Sequence, residues 1–150
     1  MFAIQWTAEM TLNLIKLCVG CDSVEDLIDW QTSQRSRWPA GTTEHVTRMW
    51  PRREAEVLDG GALYWVIKGQ ILCRQPLLRL EERLGGDGIS RCALVLSSQV
   101  IRTAATPRRP FQGWRYLPAA ESPPDLPQGR EREEALPPDL ARALADMGLR

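Results

Sequence analysis

Leu63-Tyr64-Trp65-Val66-Ile67-Lys68-Gly69-Gln70-Ile71-Leu72-Cys73-Arg74 is the stretch that decides the fold. Aromatic and β-branched residues dominate Leu63 to Ile67, the composition of a strand. The strand pattern resumes after Gly69 at Ile71 to Arg74 and again at Leu77 to Leu80. Gly85-Gly-Asp-Gly88 reads as a turn. Ile89 to Leu96 follows as another strand, with Cys92, Leu94 and Leu96 on one side. Val100-Ile101 predicts one more short strand.

Working toward the N-terminus, Leu12 to Leu17 mixes alternation with an apolar centre and predicts a first strand. Ser23-Val-Glu25-Asp26 is an N-cap followed by first-turn acids, opening a helix through about Gln34. Residues 35–43 read as a loop. His45 to Trp50 reads as a strand with Val46, Arg48 and Trp50 on one side. Pro51 then suits the first position of a short helix, Arg52 to Leu58, stopped by Gly60-Gly61. Few helices beside many strands predict an α+β fold: a small, strongly bent mixed sheet or small β-barrel with two or three short helices.

A chain of 150 residues, 43% apolar and 25% charged, suits one soluble domain. Residues 1–10 read as an N-terminal extension expected to lack order, Met10 being an alternative start. Residues 11–117 form the globular part. From Pro118 to Arg150 a proline-rich acidic tail follows, with helical spacing over Asp139 to Met147. No stretch reaches the roughly 18 consecutive apolar residues of a membrane span. The N-terminus lacks the pattern of a signal peptide. Four cysteines do not form a secreted disulfide framework. The expected location is the cytoplasm.

The formal net charge is zero, but its distribution is uneven. Residues 1–47 carry three bases and six acids, residues 48–117 twelve and six, and residues 118–150 four and seven. The basic centre holds two segments rich in arginine, tryptophan and proline: His45 to Arg53, and Pro107 to Tyr116. Guanidinium groups bind phosphate or carboxylate bidentately, and indole faces stack on planar groups. Arg48, Arg52, Arg53, Arg108, Arg109 and Arg115 are the candidate phosphate contacts, with Trp50 and Trp114 as stacking surfaces. Two cations at the start of a helix after Pro51 would also mark an anion site. The expected partner is RNA or a nucleotide-like ligand. Six phosphate contacts would lower affinity on the order of 10³-fold between 50 and 200 mM salt.

Cys18-Val-Gly-Cys21 is a C-x-x-C, a candidate half of a metal site or a redox pair, although no second close pair accompanies it. His45 is the single histidine and so the one candidate acid–base residue. It defines an alternative reading, an enzyme acting on a phosphorylated or carboxylated metabolite. No nucleotide-loop, nucleophile-elbow or zinc-protease motif occurs, and no cofactor is expected. A third reading is an interaction protein whose arginines meet an acidic surface or the chain's own acidic tail.

Leu12-Asn-Leu-Ile-Lys-Leu-Cys-Val-Gly-Cys-Asp-Ser23, His45-Val-Thr-Arg-Met-Trp-Pro-Arg-Arg53, Leu63-Tyr-Trp-Val-Ile-Lys-Gly69 and Arg108-Arg-Pro-Phe-Gln-Gly-Trp-Arg-Tyr-Leu117 together resemble an alphaproteobacterial family of uncharacterised proteins, domain of unknown function 1489. The resemblance covers residues 11–117 and implies no activity. At fold level the order of elements is similar to pseudouridine-synthase-associated (PUA-like) barrels, which include the ASCH, EVE and YTH modules. That similarity implies binding of RNA or modified bases in a basic, aromatic-lined cleft.

Overall fold

The computed structural model describes residues 11–127; the extension expected at 1–10 and the helix expected at 139–147 lie outside them. Seven strands and two short helices form an α+β structure. The elements are β1 (Leu12–Leu17), α1 (Val24–Gln34), β2 (Thr42–Thr47), α2 (Glu54–Leu58), β3 (Ala62–Ile67), β4 (Gln70–Leu84), β5 (Ser90–Ser97), β6 (Ile101–Pro107) and β7 (Trp114–Pro118). The sheet runs β2-β5-β4-β3-β1-β7, with β6 also on β4. β1 and β3 are parallel; every other pair is antiparallel.

β4 is the spine. Its first half pairs with β3 on one edge and β6 on the other, and its second half pairs with β5. Pro76 sits in the middle of it, between the last β6 rung at Arg74 and the first β5 rung at Leu77. A residue without an N–H is tolerated there because that edge has no ladder partner at that point. Register shifts in all three β4 pairings bend the strand. The bend is large enough that His45 of β2 meets Trp65 of β3 edge-on, ring centroids 5.4 Å apart, although two strands separate them in the sheet. The expected strongly bent mixed sheet is therefore present, and it is open, ending at β2 and β7.

The main core fills the inside of the bend. Leu14, Leu63, Trp65, Leu94 and Leu96 point into it, and α1 closes it with Val24 and Leu27. Ser23 caps α1 as expected, accepting from the Asp26 N–H at 3.1 Å. A second cluster on the opposite face joins Ile15, Tyr64, Val66, Ile71 and Leu117.

Several expectations need correction. β2 begins at Thr42, inside the stretch read as loop, because Thr42 and Thr43 pair with Ser97 and Leu96. It ends at Thr47, so Arg48 and Trp50 are not strand residues. α2 begins at Glu54 and not Arg52. Pro51 is buried, and Arg53 is the N-cap, its backbone at φ −94 and ψ 48 outside the helical region and its N–H donating to the Tyr116 hydroxyl at 3.1 Å. Gly60, at φ +82, ends α2 as expected. β6 is a full strand where only Val100-Ile101 was expected, and β7 was not foreseen; both exist because β4 and β1 offer them edges.

The chain stays docked beyond β7. Asp125 bridges Thr103 and accepts two hydrogen bonds from Arg74, each 2.8 Å. The Ser122 hydroxyl accepts from Asn13 Nδ2 at 3.0 Å. Among the described residues, no helix is long and apolar enough to cross a membrane.

Candidate functional site

The arginine- and tryptophan-rich segments meet where β2 ends and β7 begins. Leaving β2, the chain turns at Arg48 to Trp50, with Thr47 Oγ1 donating to the Met49 carbonyl at 3.0 Å. The same carbonyl accepts from the Trp114 indole N–H at 2.8 Å, across 65 positions of sequence. Together with the bond from Arg53 to Tyr116, this pins the turn to β7 at two points. Trp114 and Tyr116 share one face of β7, edge-on with centroids 4.9 Å apart. The Arg53 guanidinium lies 5.7 Å from the Tyr116 ring centroid.

The structure distributes the candidate residues unevenly. Arg48 and Arg52 are exposed, with no ion pair or side-chain hydrogen bond among the described residues. Arg53 forms an ion pair with Glu56, and each group favours the other's charged form. The anion site expected from cations at a helix start is thus not built that way, since Arg53 precedes the first helical residue and already holds a carboxylate. Trp50 is 39% exposed, and its indole N–H donates to Glu54 at 2.8 Å. Arg115 points to the other face of β7, where its guanidinium sits 4.9 Å from the Phe111 ring. Arg108 is anchored at the β3–β4 turn, its N–H donating to the Gly69 carbonyl at 2.8 Å, and Arg109 follows it, exposed.

Behind Trp114 lies a residue that sequence reasoning passed over. Lys16 stands in register with Trp65 on one side and Trp114 on the other, on the face that carries Leu12 and Leu14. Burial pulls its amine below the ordinary lysine value, and it has no ion-pair partner among the described residues. The available signal was its position: an even-numbered residue in a strand whose even residues face the core. His45 shares this interior. Burial, and then the nearby Lys16 charge, lower it to about 4, so it is a neutral imidazole at pH 7.

Cys18 and Cys21 lie on the turn after β1. Burial pushes the Cys18 thiol up, and a hydrogen bond with Cys21 adds to this. Burial likewise raises Cys92, to about 11. Cys18 and Cys92 are therefore protonated thiols at neutral pH, unlike the low-pKa thiolate of a redox-active cysteine. Among the described residues, no group of three or more His, Cys, Asp or Glu side chains is placed to hold a metal ion.

Among known proteins, one family model matches, described as "Protein of unknown function (DUF1489)", over residues 14–150. The match runs well past Leu117, where the resemblance read from sequence motifs stopped. No curated protein and no solved structure matches the chain.

Proposed function

The chain belongs to the DUF1489 family, which brings no activity with it, and from the geometry of this member we propose a binding module for single-stranded RNA or a nucleotide-like anion. The site is the turn Arg48-Met49-Trp50 with Arg52 and Arg53, backed by Trp114. One observation carries this reading: two unpaired, exposed guanidiniums flank a partly exposed indole on a turn anchored to a rigid sheet. Loops held in this way keep their side chains positioned without burying them. Arg48 and Arg52 would meet phosphates, and Trp50 would stack on a base, a contact worth about 1–3 kcal/mol. An arriving phosphate would compete with Glu56 for Arg53. Four free thiols fit a reducing compartment, and we place the protein in the cytoplasm.

Three phosphate contacts on one strand imply a salt slope of about −2, so affinity should fall about 20-fold between 50 and 200 mM salt. Fluorescence anisotropy with a labelled single-stranded oligoribonucleotide measures this directly. Replacing both Arg48 and Arg52 with alanine should flatten the slope to about −0.7. No binding in low salt, or an unchanged slope in the double variant, rules the proposal out.

A further inference from the structure

The described chain ends heading toward a cleft. Beyond β7 it runs antiparallel beside β6. The Ala104 N–H donates to the Pro124 carbonyl, Asp125 bridges Thr103, and the Leu126 N–H donates to the Arg102 carbonyl, both hydrogen bonds 2.9 Å long. From Pro124 to Leu126 the partners step back from Ala104 to Arg102, so Pro127 leaves in the direction of Ile101 and Val100. Val100 is one wall of a cleft of about 530 Å³, whose other walls are the C-terminal half of α1 and residues 38–43.

A cyclic pair of amides holds α1 in place beside the cleft. Gln31 Nε2 donates to Gln75 Oε1 at 2.9 Å, and Gln75 Nε2 donates back to Gln31 Oε1 at 2.8 Å. Gln75, fully buried on β4, also accepts from the Trp65 indole N–H at 2.9 Å and donates to the Ser97 carbonyl at 3.0 Å. With the polar edge of Gln31 engaged in this way, the cleft offers mainly apolar surface and cations. Ile28, Trp38 and Val100 line it. Trp30, 51% exposed, extends that surface, its ring centroid 6.2 Å from that of Trp38. Exposed apolar surface of this kind marks an interaction site. Arg35 lines the cleft, and the Arg37 guanidinium lies 5.8 Å from the Trp38 ring. Both arginines are exposed, and neither forms an ion pair among the described residues.

The sequence supplies a complementary occupant within reach. Leu140, Leu144 and Met147 recur at the spacing of one helix face, and Glu131, Glu133, Glu134 and Asp139 come just before them. Residues 128–139 reach about 40 Å when extended, far more than the roughly 7 Å that can separate Arg102 from Val100. The family match runs to residue 150, so this stretch belongs to the same family unit as the sheet. We propose that residues 139–147 of the same chain seat in the cleft. Leu140, Leu144 and Met147 lie against Ile28, Trp30, Trp38 and Val100, and the preceding acids face Arg35 and Arg37. The proposal does not depend on the Arg48–Arg52 surface.

Hydrogen exchange of the full chain, read by mass spectrometry, tests it. The amides of residues 140–147 should exchange about ten-fold or more slowly in the parent than in the Leu140→Glu, Leu144→Glu variant. Two variants on the cleft side, Trp30→Glu and Ser98→Trp, should release the same amides while β4 exchanges as in the parent. Both positions are exposed, and an indole at Ser98 fills the cleft. A tethered occupant has an effective concentration of its own, so about ten-fold dilution should leave the protection unchanged. The Arg48→Ala, Arg52→Ala variant should protect these amides as the parent does. The inference is overturned if the parent exchanges there as fast as the leucine double variant, or if both cleft variants leave the protection intact. Protection that falls on dilution overturns it by assigning the cleft to a second copy. Protection lost in the arginine double variant overturns it too, by assigning the segment to the other surface.

Discussion

His45 spends neutral pH as an uncharged ring edge-on to Trp65, and this has a consequence for stability. Folding holds it at about 4, against an ordinary value of 6.5. Between those values the unfolded chain binds more protons than the folded one. Its contribution is therefore complete above about pH 6.5, declines as pH falls, and is gone below about pH 4. The full difference is about 3 kcal/mol. Urea unfolding at pH 7 and at pH 4.5 should show the parent losing about 2 kcal/mol more than His45→Gln; parallel losses would show that His45 is solvated. A lone histidine beside arginines reads in sequence as an acid–base candidate. Its lowered pKa comes from burial in an interior that includes Trp65 and then from the Lys16 charge, 20 and 29 positions away, and no local pattern reports that.

Among the elements, the junction of α2 and β3 leaves no room for a side chain at Gly61. Gly60 needs a positive φ, yet a methyl group there would touch nothing. Gly61 has ordinary backbone angles, but its Cβ would press on the Val57 carbonyl and come within 2.6 Å of the Leu12 carbonyl. Gly60→Ala should cost about 1 kcal/mol from left-handed strain. Gly61→Ala should cost about 3 kcal/mol or more, since backbone on both sides must move. Chemical denaturation of the two variants ranks them, and equal losses would mean that β1 yields easily. The glycine pair is legible in sequence as a helix stop. That its second member is a packing glycine follows from the Val57 carbonyl of α2 and the Leu12 carbonyl of β1 lying against it.

For the molecule as a whole, the closing feature is the strap after β7. The Arg74–Asp125 pair joins β4 to a segment that composition assigns to a tail, and the bridge from Asp125 to Thr103 ties in β6. The Arg74 guanidinium, through its hydrogen bonds, holds the Asp125 carboxyl below the usual aspartate range. This contribution is present above the ordinary aspartate value and lost as pH falls through the folded one. The carboxylate is well exposed, so solvent screening keeps the pair to about 1 kcal/mol. Asp125→Ala should lower unfolding free energy by that amount at pH 7 and by little at pH 3, with melts at the two pH values as the measurement. An equal loss at both would point to packing and not charge.

Local chemistry was enough for β1, β3, most of β5, the Ser23 cap and the Gly60 stop, because alternation, capping and positive φ are written within a few neighbouring residues. The basic, tryptophan-bearing composition of the two candidate segments was legible on the same grounds. Tertiary structure alone decided where β2 starts and that β6 and β7 are strands. It alone set Met49 against Trp114, Lys16 between two tryptophans, and Gln31 against Gln75. Each of these rests on a hydrogen bond or a buried face supplied by a distant part of the chain, and such partners exist only once the sheet has bent.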